Sequence, residues 1–479
     1  MSDQLAKLEL PERDAIVVGS GPNGLAAAIR LAQAGRRVVV LESRETPGGG
    51  VRSAELTLPG FIHDVCSTIF AMVACSPFLS ELPLRTHGLE WAVPPAPLAH
   101  PLDDGSAVML HHSIEDTVRS LGADGAGYRR LMGDLVSRSQ ELIHDAFMPP
   151  GIPSHPFLFA SFGLRAIRPA ASLARSYFKT ERGRALFAGL AAHSILPLEK
   201  LSTSAVALML AVTGHVKGWP FARGGSQQLT GALVKYLESL GGKVINNCHV
   251  ESLDQLPPAR AVLLDVTPRQ LLRMAGARLP ASYRRKLERY RYGPGVYKMD
   301  WALHQPVPWR AAECAQAGTV HLCGTLDEIS DSERRAWRGE ICDRPYVLFT
   351  QPSLFDSTRA PAGKHTAWGY CHVPHGYSGN LSETIEKQVE RFAPGFRDCI
   401  AARSILGPAE LEQRNPNLIG GDISGGAADL GQLFLRPTAS LYRTPLEGVF
   451  LCSSSTPPAP GVHGMCGYFA AEAALKLFA

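Results

Sequence analysis

The clearest apolar pattern in the chain lies near its start. Ala15–Val18 is short and wholly apolar, as expected of a strand buried on both faces of a parallel sheet. Leu25, Ile29 and Leu31 then recur at helical spacing as far as Gly35, and 37–41 is a second apolar strand finishing at Glu42. Further along, Leu229, Leu233, Tyr236, Leu237 and Leu240 make one helical face, stopped by Gly241 and Gly242. Residues 260–268 read as another buried strand. From 293 to 374 the period changes to β-type, with strands predicted at 296–303, 346–350 and 365–372. The stretch 106–216 lacks that alternation and reads as helix with Pro breaks. Residues 448–455 form a strand leading through a Pro/Gly turn into a helix over 468–478.

Composition narrows the classes. The 479 residues are 45% hydrophobic and 19% charged, too apolar for a disordered chain and long enough for two or three domains. Lys and Arg number 48 against 44 Asp and Glu, a net +4 without the concentrated basic character of a nucleic-acid binder, so no nucleic-acid partner is expected. The uncharged runs at 146–164, 201–216 and 448–471 are broken by Pro, Gly or Ser or are too short, so no transmembrane segment is predicted. Residues 1–14 lack the order of a secretory signal, which points to the cytoplasm. The ten cysteines include no CxxC and no metal-like cluster with histidine, so reduced thiols and no metal are expected.

Gly19, Gly21 and Gly24 form GxGxxG between the first strand and its helix, with Pro22 and Asn23 inside the motif. The first glycine permits the tight turn, the second lets backbone approach a pyrophosphate, and the third lets the helix pack closely on the strand. The helix N-terminus offers free N–H groups to the anion. Glu42, with Ser43 beside it, stands 18 residues past the last glycine, where a carboxylate accepts hydrogen bonds from a ribose. A 2′-phosphate would be repelled there, favouring FAD or NAD over NADP.

The segment that follows, Gly48, Gly49, Gly50 and Arg52, resembles the second glycine motif of the flavin amine oxidase and phytoene desaturase superfamily. There a GG pair lets the chain pass close to the flavin phosphates; many members place Arg where Gly50 stands, and here Arg52 comes two residues later. Residues 217–250 resemble the next landmark of that superfamily, which implies backbone contact between Val250 and adenine. The run 352–365 is similar to a stretch in carotenoid desaturase-like proteins. The C-terminal block, with Ser453, Ser454, Val462, Gly464 and Met465, resembles the motif that closes on the flavin ring; relatives carry glycines where Ala459 and Pro460 stand, which implies a stiffer turn. The nearest branch is that of phytoene desaturase, carotenoid isomerase and retinol saturase. A resemblance also runs to pyridine nucleotide-disulphide oxidoreductase domain proteins, although no redox CxxxxC follows the nucleotide motif and no second GxGxxG is present.

The resemblance implies an α/β fold: a Rossmann-like FAD-binding domain of the GR2/amine oxidase type with an inserted α+β substrate-binding domain. The expected division is 1–105, 223–292 and 421–479 for the FAD domain, 106–222 for a helical cap and 293–420 for an antiparallel substrate sheet. FAD is the expected cofactor and flavin hydride transfer to or from an apolar, polyene- or isoprenoid-like small molecule the expected activity. A redox-neutral double-bond isomerase, an amine oxidase and a non-catalytic flavoprotein partner stay open as alternatives. His463 is a candidate acid, base or substrate hydrogen-bonder, with a turn-holding histidine as the other reading. Trp219 is a candidate aromatic wall beside the flavin, with core packing as the other. Residues 157–168 read as a helical cap or as an entrance resting on a membrane surface. Peripheral membrane contact and a homo-oligomer are left open.

Overall fold

The computed structural model describes residues 13–433, 435–458 and 460–479; most of the stretch read for a secretory signal, and Ala459, lie outside these. In chain order its strands of three or more residues are β1 (Ala15–Val18), β2 (Val38–Leu41), β3 (Ala96–Pro101), β4 (Ala107–Leu110), β5 (Lys243–Ile245) and β6 (Ala261–Leu264). They continue with β7 (Gly295–Leu303), β8 (Ala317–Leu322), β9 (Val347–Thr350), β10 (His365–Val373), β11 (Ile400–Leu406) and β12 (Val449–Leu451). Six helices bear on the site: α1 (Pro22–Gln33), α2 (Pro156–Ala166), α3 (Glu181–Ala192), α4 (Thr203–Val216), α5 (Gln227–Ser239) and α6 (Met465–Leu475).

A five-stranded parallel sheet runs β12-β6-β1-β2-β5, so its strands come from the start, middle and end of the chain. The two faces of β1 explain its unbroken apolar run. Ala15 and Val17 pack with α1, whereas Ile16 and Val18 pack with Leu271, Met274 and Tyr283 on the opposite face. Helix α1 starts at Pro22, whose missing N–H costs nothing at a helix N-terminus, and buries most of its circumference because α6 covers it. A Cβ on Gly467 of α6 would stand 1.8 Å from the carbonyl oxygen of Asn23, so the two helices touch backbone to backbone. The last helix thus begins three residues before the expected 468, because Gly464 takes a left-handed conformation as its N-cap.

The second sheet runs β11-β7-β10-β9-β8-β3-β4. It departs from expectation in two ways. Strand β8 pairs β3 in parallel, with Ala317 opposite Ala96, so the sheet is mixed rather than antiparallel. The expected boundary at 105/106 falls in the turn between β3 and β4, which are hydrogen-bonded to each other and belong to this sheet, and residues 107–110 of the expected helical cap are strand. Prolines 97 and 101 hide β3 in the sequence, because Pro cannot donate to a ladder. One face of the sheet packs Met299, Trp301 and Leu303 against Val389 and Phe392; the other, with Leu98, Leu110, Leu348 and Trp368, turns toward α3 and α4. No helix among the described residues is long and apolar enough to cross a membrane.

The run 352–365 joins β9 to β10 and ties the two sheets together. Arg359 is fully buried and donates to Asp64 (2.9 Å), Asp356 (3.0 Å) and the Ala222 carbonyl (3.3 Å). Asp356 accepts the N–H of Gly224 at 2.7 Å, and Asp64 accepts Ser53 and Ser226, the residue just before α5. Burial pushes the Asp64 carboxyl up, but Arg359 and the serine donors outweigh it and hold it below its ordinary value. Removing one partner of such a network strands buried charge. Arg359→Met is therefore expected to cost about 3–5 kcal/mol in urea unfolding at pH 8. The loss should be smaller at pH 5, where the stranded carboxyls can take up protons; an equal loss at both values would refute this account.

Candidate dinucleotide and substrate site

The glycine motif is built by close approach. Gly19 adopts φ +98°, and a Cβ on Gly24 would stand 2.1 Å from the Gly19 carbonyl oxygen, so the helix can begin only if residue 24 is glycine. At Gly21 a Cβ would stand 2.5 Å from Asp265 Oδ2. Glu42 ends β2 with its carboxylate held in place: Oε2 accepts Ser20 N–H at 3.0 Å and Ser20 Oγ–H at 2.5 Å, and Oε1 accepts Arg44 N–H at 2.9 Å.

A cavity of about 1080 Å³ opens from this cradle, larger than one drug-sized molecule needs. Gly19, Gly21, Pro22, Asn23, Glu42, Ser43, Gly49, Gly50, Arg52, Val250, Ser454 and Val462 line it, as does Trp219 at a distance in sequence. Five other expected residues stand behind the wall. Gly24 donates its N–H to Asp265 (3.1 Å), Gly48 donates to Ser20 Oγ (3.1 Å), and Ser453 Oγ–H donates to the Val266 carbonyl (2.7 Å). Gly464 caps α6, and the Met465 N–H donates to His463 Nδ1 at 3.0 Å.

His463 itself is buried and is not among the residues that line the cavity. Its ring closes the turn before α6 and lies edge-on to Phe147, 5.2 Å between centroids, while its carbonyl accepts Ser76 Oγ–H at 2.7 Å. Arg52 is spent on backbone, donating to the carbonyls of Gly49 (2.9 Å) and Arg414 (2.8 Å), and so fixes the GG loop against a distant segment. Trp219 lines the cavity while its Nε1–H donates to the Leu210 carbonyl (3.3 Å), which packs the ring against α4. All ten cysteines are free, and the described residues contain no cluster of three or more metal-ligating side chains.

Two residues on the wall were not singled out from the sequence. Asp265 ends β6 directly beneath the glycine loop; burial first, then Glu42, push its carboxyl up to about 7, against hydrogen bonds from Gly24 and Gly21. Its sequence signal was a lone acid closing the apolar run of β6. His193 follows α3, and its partner His321 lies 128 residues on, so no local signal marks it.

The family model described as an NAD(P)-binding Rossmann-like domain matches residues 17–82. The chain carries a Rossmann-like dinucleotide-binding domain. Beyond that domain it is 25% identical to the mouse (Mus musculus) pyridine nucleotide-disulfide oxidoreductase domain-containing protein 2, over 97% of this chain and 94% of the relative. It is 27% identical to the phytoene dehydrogenase of Streptomyces griseus, over 84% and 79% of the two chains, so its homologues include the phytoene desaturase group. The structure of a putrescine oxidase double mutant, made in a redesign of cofactor binding, aligns with a TM-score of 0.65 at 17% identity, over 97% and 99% of the two chains. That likeness is one of fold, and it covers the Rossmann-like domain and the inserted sheet together.

The Rossmann-like domain's buried acid gives a pH signature. Asp265 binds its proton more tightly in the folded chain than in the unfolded one, so the stability it contributes is full below pH 4 and is lost as pH rises to about 7. Asp265→Asn, which keeps an acceptor for Gly24, is expected to be more stable than the unsubstituted protein at pH 8 by a few kcal/mol and equal to it at pH 4. Urea unfolding of dinucleotide-free protein at both pH values measures the difference; a gap that does not change with pH would refute the assignment.

Proposed function

We propose that the chain is an FAD-dependent oxidoreductase that moves hydride between flavin and an apolar small molecule, in the manner of a desaturase or dehydrogenase. The observation that carries this reading is one cavity continuous from a dinucleotide cradle to an apolar, aromatic wall. The cradle residues fit the group. The α1 N-terminus and the Cβ-free Gly21 suit a pyrophosphate, and the fixed carboxylate of Glu42 suits a ribose diol. FAD, when bound, supplies the hydride chemistry itself. The task of the chain is then to bind, orient and exclude water. The Gly48–Gly49 loop, locked by Arg52 and Ser20, closes over the nucleotide end. Phe159 and Phe162 of α2, Met209 of α4 and Leu348 of β9 surround the far end with apolar surface. The homologues named phytoene dehydrogenase and phytoene desaturase support hydrogen removal across a C–C bond.

The purified protein is expected to be yellow, with flavin absorbance bands and FAD released on denaturation. Gly21→Asp, which sets a second carboxylate against Asp265 and the phosphate cradle, should abolish flavin retention while the fold persists by circular dichroism. A colourless protein that FAD cannot reconstitute, or undiminished flavin in the variant, would sink the reading. Product masses from an apolar polyene panel then decide the reaction. Loss of two hydrogens is expected, and a product of unchanged mass would instead establish isomerisation.

A further inference from the structure

The far wall of the cavity is not uniformly apolar. Ring contacts run unbroken from Trp219 to His193 (6.1 Å), His321 (5.0 Å), Tyr346 (5.3 Å), His372 (6.1 Å), Tyr370 (5.6 Å) and Trp368 (5.8 Å), across the face of the second sheet. Of these, Trp219, His193, Tyr370 and Trp368 line the cavity. Polar atoms on this wall lack protein partners among the described residues: Ser194 Oγ and Trp368 Nε1 are both buried and make no hydrogen bond. A buried polar group left unpaired is costly, which points to a ligand group that pairs it.

His193 is the centre of this patch. Its Nε2 lies 3.0 Å from His321 Nε2, which fixes the ring and leaves Nδ1 as the nitrogen without a protein hydrogen bond among the described residues. His321 is in turn seated where α3 has no side chain, since a Cβ on Gly189 would stand 2.6 Å from His321 Nδ1. Burial, and then His372, lower the His193 pKa to about 3, so the ring is neutral. The acidic side chains on the cavity wall, Glu42, Glu251 and Asp265, all belong to the nucleotide half, so the aromatic wall offers a ligand no carboxylate of its own.

Resting on the reading of this cavity as the substrate site, we propose that the substrate is an aliphatic or isoprenoid alcohol, its hydroxyl hydrogen-bonded to His193 Nδ1 and its chain along the apolar walls. A hydroxyl both donates and accepts, so it pairs with either tautomer that His321 imposes on His193. A hydrocarbon would leave Nδ1, Ser194 and Trp368 unpaired.

The test is binding of linear isoprenoid alcohols of about ten, fifteen and twenty carbons against hydrocarbons of the same lengths, a span chosen to match drug-sized ligands and longer chains. It is read by tryptophan fluorescence on the purified protein as isolated. At least one alcohol is expected to bind about tenfold more tightly than its matched hydrocarbon, the increment of one buried hydrogen bond. His193→Phe should erase that preference by weakening the alcohol alone, and His193→Gln, which keeps a donor and an acceptor, should retain part of it. Equal affinities in the unsubstituted protein, no binding by any alcohol, or equal weakening of both probes by His193→Phe would overturn the proposal. Flavin content, measured on the same samples, separates the two readings. Loss of the alcohol preference with flavin present refutes only the substrate class, and absence of flavin refutes the oxidoreductase reading while the preference is still measured.

Discussion

The fold depends on backbone surfaces meeting where side chains are missing. Gly24 rests on the carbonyl of Gly19, and Gly467 rests on the carbonyl of Asn23, so β1, α1 and α6 are drawn closer than any Cβ would permit. The second contact joins residues more than 440 positions apart. Loop-closure entropy grows only slowly with separation, so one tight, water-free seam can hold such a distant pair once the sheet between them is formed. The discontinuity of the nucleotide domain follows: β12 and α6 can complete it only after the chain has made the second sheet and returned.

A domain assembled this way needs its halves held in register, and the buried Asp64–Arg359–Asp356 network does so. Arg359 lies between β9 and β10 of the second sheet and ends on Asp64, which holds Ser53 just past the second glycine loop, and on Asp356, which holds the turn before α5. Arg52 makes the reciprocal connection, from the GG loop to the carbonyl of Arg414. Arg52 stood in the sequence beside the second glycine motif and Arg359 within the run 352–365, and both donate to protein groups here. Arg359 does its holding fully buried, whereas Arg52 holds the GG loop from the cavity wall itself.

What was legible in the sequence is what is local. Gly19 to Glu42 lies within one strand–helix–strand unit, so apolar spacing, glycine positions and the terminal acid could be read together, and the three strands expected between 293 and 374 each fall within two residues of β7, β9 and β10. The β3–β4 hairpin escaped because its prolines argue against a strand until β8 is known to lie beside it. His463 looked chemical because it sits in a motif that resembles one closing on a cofactor; here its Nδ1 accepts the N–H of Met465 two residues on. His193, His321 and Gly189 carry no local pattern at all; their meaning arises only when α3 is laid over β8.

The two ends of the cavity are also built on opposite electrostatic terms. At the nucleotide end, charge is present and compensated by backbone: Glu42 by Ser20 and Arg44, Asp265 by the start of α1. A pyrophosphate in the cradle would compete with this buried acid for the same N–H groups, and the raised Asp265 pKa would ease that competition by favouring the neutral form. At the aromatic end the cavity lining carries no acid, Glu333 pairs with His372 at 2.8 Å, and burial lowers the pKa values of His193 and His321. The shifts at both places have one origin, the removal of water from around ionisable groups, which pushes the Asp265 carboxyl up and the His193 and His321 rings down. A cavity so divided discriminates by shape and by single hydrogen bonds, which makes the pairing of His193 with His321 the feature on which its selectivity turns.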